Sequence, residues 1–168
     1  EISVDVAETQ DGVRIDTSAP SRNTGHRSVD IELIVPSDAV LWLETGAGNV
    51  EVDGVVGVIE VDTGAGNIDL TGSAGPVNLH TGAGDIAYAG EPEGECVFSI
   101  GAGKVSLRLP EDLDARVRFD TGVGTIDLGR FDVDGETSAT EVDGVIGSGE
   151  GASIEAHTGA GGIELNQR

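Results

Sequence analysis

The sequence predicts an all-β fold, a single-stranded parallel β-helix (β-solenoid) with about 18 residues and two short strands per coil. The first observation behind this is a recurring phrase. Thr45-Gly46-Ala47-Gly48-Asn49-Val50 returns in close variants from Thr63, Thr81, Ile100, Thr121 and Thr158, at intervals of 18, 18, 19, 21 and 37 residues. The last interval is about two coils, so one degenerate coil is expected within it. The second observation is columnar. Four positions before the phrase stand Leu41, Ile59, Val77, Cys96, Val117 and Ile154, and two before it Leu43, Val61, Leu79, Phe98, Phe119 and Ala156. Five after it stand Val50, Ile68, Ile86, Val105, Ile126 and Ile163, and seven after it Val52, Leu70, Tyr88, Leu107, Leu128 and Leu165. Polar residues alternate with these, the period of a half-buried strand, so all four columns are expected inside. The third observation is composition: β-branched residues and glycine dominate every segment, which leaves a helix little support.

Taken in order, Ile2-Val4-Val6, Val13-Ile15 and Val29-Ile31-Leu33-Val35 alternate like the later strands, and residues 1–36 read as irregular entry strands with a surface loop over Ser18 to Ser28. Residues 37–168 read as regular coils. Each Gly-Ala-Gly is a sharp corner stacked on an identical corner, where a Cβ has no room. The opposite side of each coil is a looser turn such as Gly72-Ser73-Ala74-Gly75-Pro76. A weaker beat of about nine residues suggests a flattened, two-sided solenoid, and the likeness of Val35-Pro36-Ser37-Asp38 to Leu109-Pro110-Glu111-Asp112 points to a longer duplication.

The chain has 168 residues and one pervasive repeat, which reads as a single domain over 1–168. Its net charge is −22, with 31 acidic residues against nine basic ones, and Lys104 is the only lysine. Such a surface repels nucleic acid and anionic lipid, and the acids are spread along strands instead of gathered in a tail. Scarce lysine and abundant Asp and Glu lead to the expectation of a high-salt organism. No hydrophobic run is long enough to span a membrane. The chain starts at Glu1 and not at Met, from which a longer precursor is expected.

Candidate chemistry is sparse. Cys96, the one cysteine, falls in an apolar column and reads as a small buried hydrophobe. Glycine-rich nonapeptides with Asp suggest a calcium roll, but in Gly66-Asn67-Ile68-Asp69-Leu70 an apolar residue intervenes and Asp69 falls on the outer face. Among His26, His80 and His157, His80 is expected to stack beside Asp62 and His157 to share its column, read as solvated surface residues, with a metal ligand or a pH-sensitive pair as the alternatives. No catalytic, cofactor-binding or metal residue is assigned, no cofactor is expected, and the chain reads as no enzyme.

The repeated Thr-Gly-Ala-Gly-Asn-Val-Glu-Val, the Val35-Pro36 lead-in and the closing Ala156-His157-Thr158-Gly159-Ala160-Gly161-Gly162-Ile163-Glu164-Leu165 resemble the bacterial and archaeal "putative adhesin" domain, also called toastrack, over roughly residues 29–168. That domain is similar to the heads of autotransporter adhesins. The resemblance implies a β-helix exposed outside the cytoplasmic membrane or attached to it, with no catalytic residues to carry over.

The expected function is therefore a non-enzymatic cell-surface or envelope interaction domain with a protein or envelope partner. The alternative is a structural subunit that stacks end to end through its terminal coils. A polysaccharide-acting β-helix enzyme or a calcium roll ranks below both.

Overall fold

The computed structural model describes residues 3–9, 12–18 and 29–168, so His26 and the expected loop from position 19 to 28 lie outside the described residues. The chain divides into two compact units, Glu1–Ile34 and Val35–Arg168. In the first, β1 (Ser3–Thr9) and β2 (Gly12–Ser18) pair antiparallel, with Thr9 opposite Gly12. Residues 29–35 alternate in sequence like a strand yet have no sheet partner among the described residues. Alternation assigns faces, and a strand also needs a neighbour to bond to.

The second unit is all-β, with twelve strands in one sheet and no helix. β3 (Leu41–Thr45) and β4 (Val50–Asp53) form the first repeat. β5 (Ile59–Thr63) begins the second, and the long strands β6 (Ile68–Ala83) and β7 (Ile86–Ala102) each run from one repeat into the next. β8 (Val105–Leu109) completes the fourth repeat, and β9 (Ala115–Val123) with β10 (Ile126–Asp127) forms the fifth. A hairpin of β11 (Asp134–Thr137) and β12 (Glu141–Ile146) precedes the last repeat, β13 (Ala152–Ala160) and β14 (Ile163–Gln167).

Equivalent residues of neighbouring repeats pair in parallel: Leu41 lies opposite Ile59, Ile59 opposite Val77 and Val77 opposite Cys96. All four apolar columns face the core. Ile68, Leu70, Leu79 and Val117 are fully buried, while Leu41, Leu43, Val50, Ile126 and Leu128 are half-buried and pack against that cluster. Burying one such aliphatic side chain contributes about 1.5–3 kcal/mol.

The repeat threonines form a fifth interior column. Thr63, Thr81, Thr121 and Thr158 are buried. A buried hydroxyl needs a partner. The hydroxyls of Thr81 and Thr121 donate to the carbonyls of Gly66 and Gly161 at 2.9 Å, and that of Thr158 donates to Gly103 at 3.2 Å. Where Ile100 takes the column, it is buried as plain hydrocarbon.

The corners stack as tightly as the sequence implies. Gly84 has a φ of 143°, and a Cβ there would run into the carbonyl oxygen of Gly66. Beside the glycines, side chains tie one corner to the next. Asn49 Oδ1 accepts the Asn67 N–H at 3.0 Å, Asn67 Oδ1 accepts that of Asp85 at 2.9 Å, and Asp85 Oδ1 accepts that of Lys104 at 2.8 Å.

Two features depart from the order of the repeats in sequence. The last repeat lies inside the stack: β13 pairs with β7 on one side and β9 on the other, and β14 lies between β8 and β10. Packing favours this order, because Ala156 lies across from both Phe98 and Phe119, so the two rings do not stack directly. The expected degenerate coil is instead an antiparallel hairpin. β12 runs against β9, ending with Ile146 beside Ala115, and β13 starts with Ala152 on the other side of Ala115.

That reversal lets residues 147–151 carry the chain across the start of β9. Asp114 pins the crossing by accepting from the Ser148 hydroxyl and the Gly149 N–H, each at 2.6 Å, and the first of these above all holds its carboxyl below the ordinary range. β11 and β12 thus cover the stack beyond β9, and the C-terminal strand is not its end.

Candidate interaction face

Outward columns follow from the same alternation. Just before the threonines the register brings together Glu44, Asp62, His80, Ser99, His157 and Asp120, each the cross-strand partner of the next. His80 does lie beside Asp62. His157 Nδ1 is 2.9 Å from Asp120 Oδ1, with both side chains more than half exposed, so the pair contributes little to stability. Among the described residues no group of three or more His, Cys, Asp or Glu side chains is placed to hold a metal ion. Asp69 faces solvent beside Glu51, and Ala87 takes the next place in the column.

Cys96 is fully buried, as its column implies, and its Sγ lies 3.8 Å from the carbonyl oxygen of Gly75. Burial pushes its thiol up to about 11, the opposite of what a nucleophilic cysteine needs. Tyr88 packs tilted against Phe98 with 5.4 Å between ring centroids, and burial raises its phenol well above the ordinary value.

The next outward column holds Trp42, which sequence reasoning did not single out. Its signal was available, since a residue between inward Leu41 and Leu43 must point out. Trp42 is 78% exposed on β3, whose only partner among the described residues is β5. Glu60 lies across from Trp42, Asn78 from Glu60 and Val97 from Asn78. Val40 (61% exposed) and Val58 (43%) flank the indole. A shallow hollow of about 220 Å³ continues the patch over Val58, Pro76 and Val97, with Glu60 and Glu95 also in its lining.

Charge is divided along the chain in the same sense. Residues 35–103 contain eleven Asp and Glu and no Lys or Arg, whereas six of the nine basic residues lie in 104–168. Lys104 pairs with Glu164 at 2.6 Å and Arg118 with Asp143 at 2.9 Å. A larger open depression of about 420 Å³ is lined by Glu91, Glu93, Asp112, Leu113 and Asp114 among others, and its four carboxylates are exposed to solvent.

The structure is similar to the crystal structure of a "putative cell adhesion protein" from Clostridium sporogenes, with a TM-score of 0.58 and 16% identity over 100% of this chain and 77% of that one. At that identity the likeness is one of fold. No protein-family model matches the sequence, and a search of curated proteins finds no match. Among the described residues no helix is long and apolar enough to cross a membrane.

Proposed function

We propose that the chain is a non-enzymatic interaction domain of the cell surface or envelope, built as a single-stranded parallel β-helix. The observation that carries this reading is Trp42, a large apolar side chain held in water at the border of a stack whose core columns make it rigid. The parallel register of about 18 residues between repeats supports the solenoid, and the fold likeness to a protein described as adhesive supports the role. The outward acids run along the strands as solvent-facing ladders, which supports a binding surface over a convergent catalytic site. The net charge of −22 supports a working environment of high salt.

The outer edge of β3 and β4 favours one further reading, self-association edge to edge. Because β11 and β12 cover the other end, such contact would produce a closed pair rather than a fibre.

Labelling of intact source cells with an antibody against the purified chain tests the first reading. Surface labelling without permeabilisation is expected. Labelling only after permeabilisation would contradict it.

A further inference from the structure

We infer that the Trp42 patch binds an extended segment of another protein in which aliphatic and basic residues alternate, added as a strand along the outer edge of β3. This rests on reading the chain as an interaction domain and adds the chemistry of its partner.

The edge supplies the backbone contacts. Leu41 donates its N–H to Val58 and Thr45 accepts from Gly64, so both are engaged with the second repeat. Strand geometry then turns the N–H and C=O of Trp42 and Glu44 to the outer side, where a further strand would bond to them.

The side chains set what that strand must carry. Val40, Trp42 and Val58 are exposed apolar surface, and the hollow over Pro76 and Val97 extends it. Glu44, Glu60, Asp62 and Glu95 surround this surface, and no Lys or Arg occurs anywhere in residues 35–103. Neighbouring residues of an added strand point to opposite faces, so its aliphatic residues would extend the half-buried column of Leu41 and Leu43, while the alternate basic residues fall on the face of Trp42, Glu44 and Glu60. An arginine can also lie on the exposed face of Trp42.

Other occupants fit less well. Nucleic acid would set phosphates against the carboxylates. A second copy would bring either its own acidic first repeats or the hairpin, where Asp134, Glu136, Glu141 and Asp143 are again acidic.

The test uses the full chain and a ten-residue peptide alternating valine and lysine, followed by the fluorescence of Trp42, the only tryptophan, and by calorimetry for variants. Saturable one-to-one binding is expected, weakened at least about tenfold by Trp42→Ala and by Glu60→Lys and abolished by a central proline in the peptide. Melting curves confirm that both variants fold, as exposed positions allow. Equal binding of a valine–glutamate peptide or of a peptide with its lysines in one block would overturn the inference. So would indifference to Trp42→Ala, or dimerisation of the chain in place of peptide binding. The two readings fail separately: a chain found inside cells that still binds the peptide refutes only the surface role, and a surface-labelled chain that ignores it refutes only the partner chemistry.

Discussion

Ala156 lies directly across from Phe119, and on its other side across from Phe98, in the middle of the core. The alanine is 2% exposed and both rings are essentially fully buried. Its smallness is therefore a packing requirement. Ala156→Leu should cost roughly 1–3 kcal/mol through overpacking, whereas Ala47→Leu at an exposed corner should change stability by less than about 0.5 kcal/mol. Urea unfolding of the two variants checks this, and equal midpoints would place the last repeat elsewhere.

The assignment of strand faces predicts opposite fates for adjacent residues. Ile68 is fully buried and Asp69 faces water. Ile68→Asp should bury an unpaired carboxylate and cost several kcal/mol, while Asp69→Asn should change stability by less than about 0.5 kcal/mol. Thermal melts followed by circular dichroism decide it, and unfolding of the Asp69 variant alone would reverse the faces.

Cys96 predicts an alkaline limit to stability. Its folded thiol is raised to about 11 from an ordinary 9.0, chiefly by burial. A raised folded value stabilises the native state fully below the unfolded value and loses that contribution as pH climbs from about 9 toward 11, on the order of 2–3 kcal/mol. Cys96→Val should flatten the fall, although Tyr88, raised by its own burial, still acts in the same direction at higher pH. The native thiol should also resist alkylation until denaturant is added. Rapid labelling at neutral pH would remove Cys96 from the core.

Salt should act through the carboxylate ladders. Glu44 lies beside Asp62 and Glu51 beside Asp69, and two charges one strand apart repel by about 1 kcal/mol even at the dielectric of water. At molar salt the screening length falls to about 3 Å. The melting temperature should rise steeply from low to molar KCl, and Asp62→Asn with Asp69→Asn should reduce the slope. A melting temperature independent of salt would contradict the high-salt reading.

The apolar columns and the corner glycines were readable because period-two alternation and stacked turns each impose one residue type at one offset. The order of stacking was not. Ile154, Ala156, Ile163 and Leu165 satisfy the interior columns equally well at the end of the stack or between two other repeats, and alternation carries no address. The direction of β12 was hidden for a related reason, since Glu141-Val142-Asp143 alternates identically when read against β9 or along it. The buried threonines were implied by continuing the alternation two residues past Leu79 to Thr81, but a polar residue in an interior column shows its role only once the glycine carbonyl beside it is placed. The candidate face escaped because alternation turns Trp42 outward but does not say that its strand lies at the border of the sheet.

The order of the repeats in the stack turns on β13 lying between β7 and β9. Ser99 and His157 are then cross-strand neighbours about 4.8 Å apart, within the range a disulfide spans, whereas Ser99 and Asp120 stand two strands apart at about 10 Å, beyond it. Paired cysteines at 99 and 157, and separately at 99 and 120, should be introduced and oxidised under native conditions, with buried Cys96 left in place. Ready disulfide formation by the 99–157 pair and none by the 99–120 pair is the result this structure predicts, and the reverse pattern would contradict it.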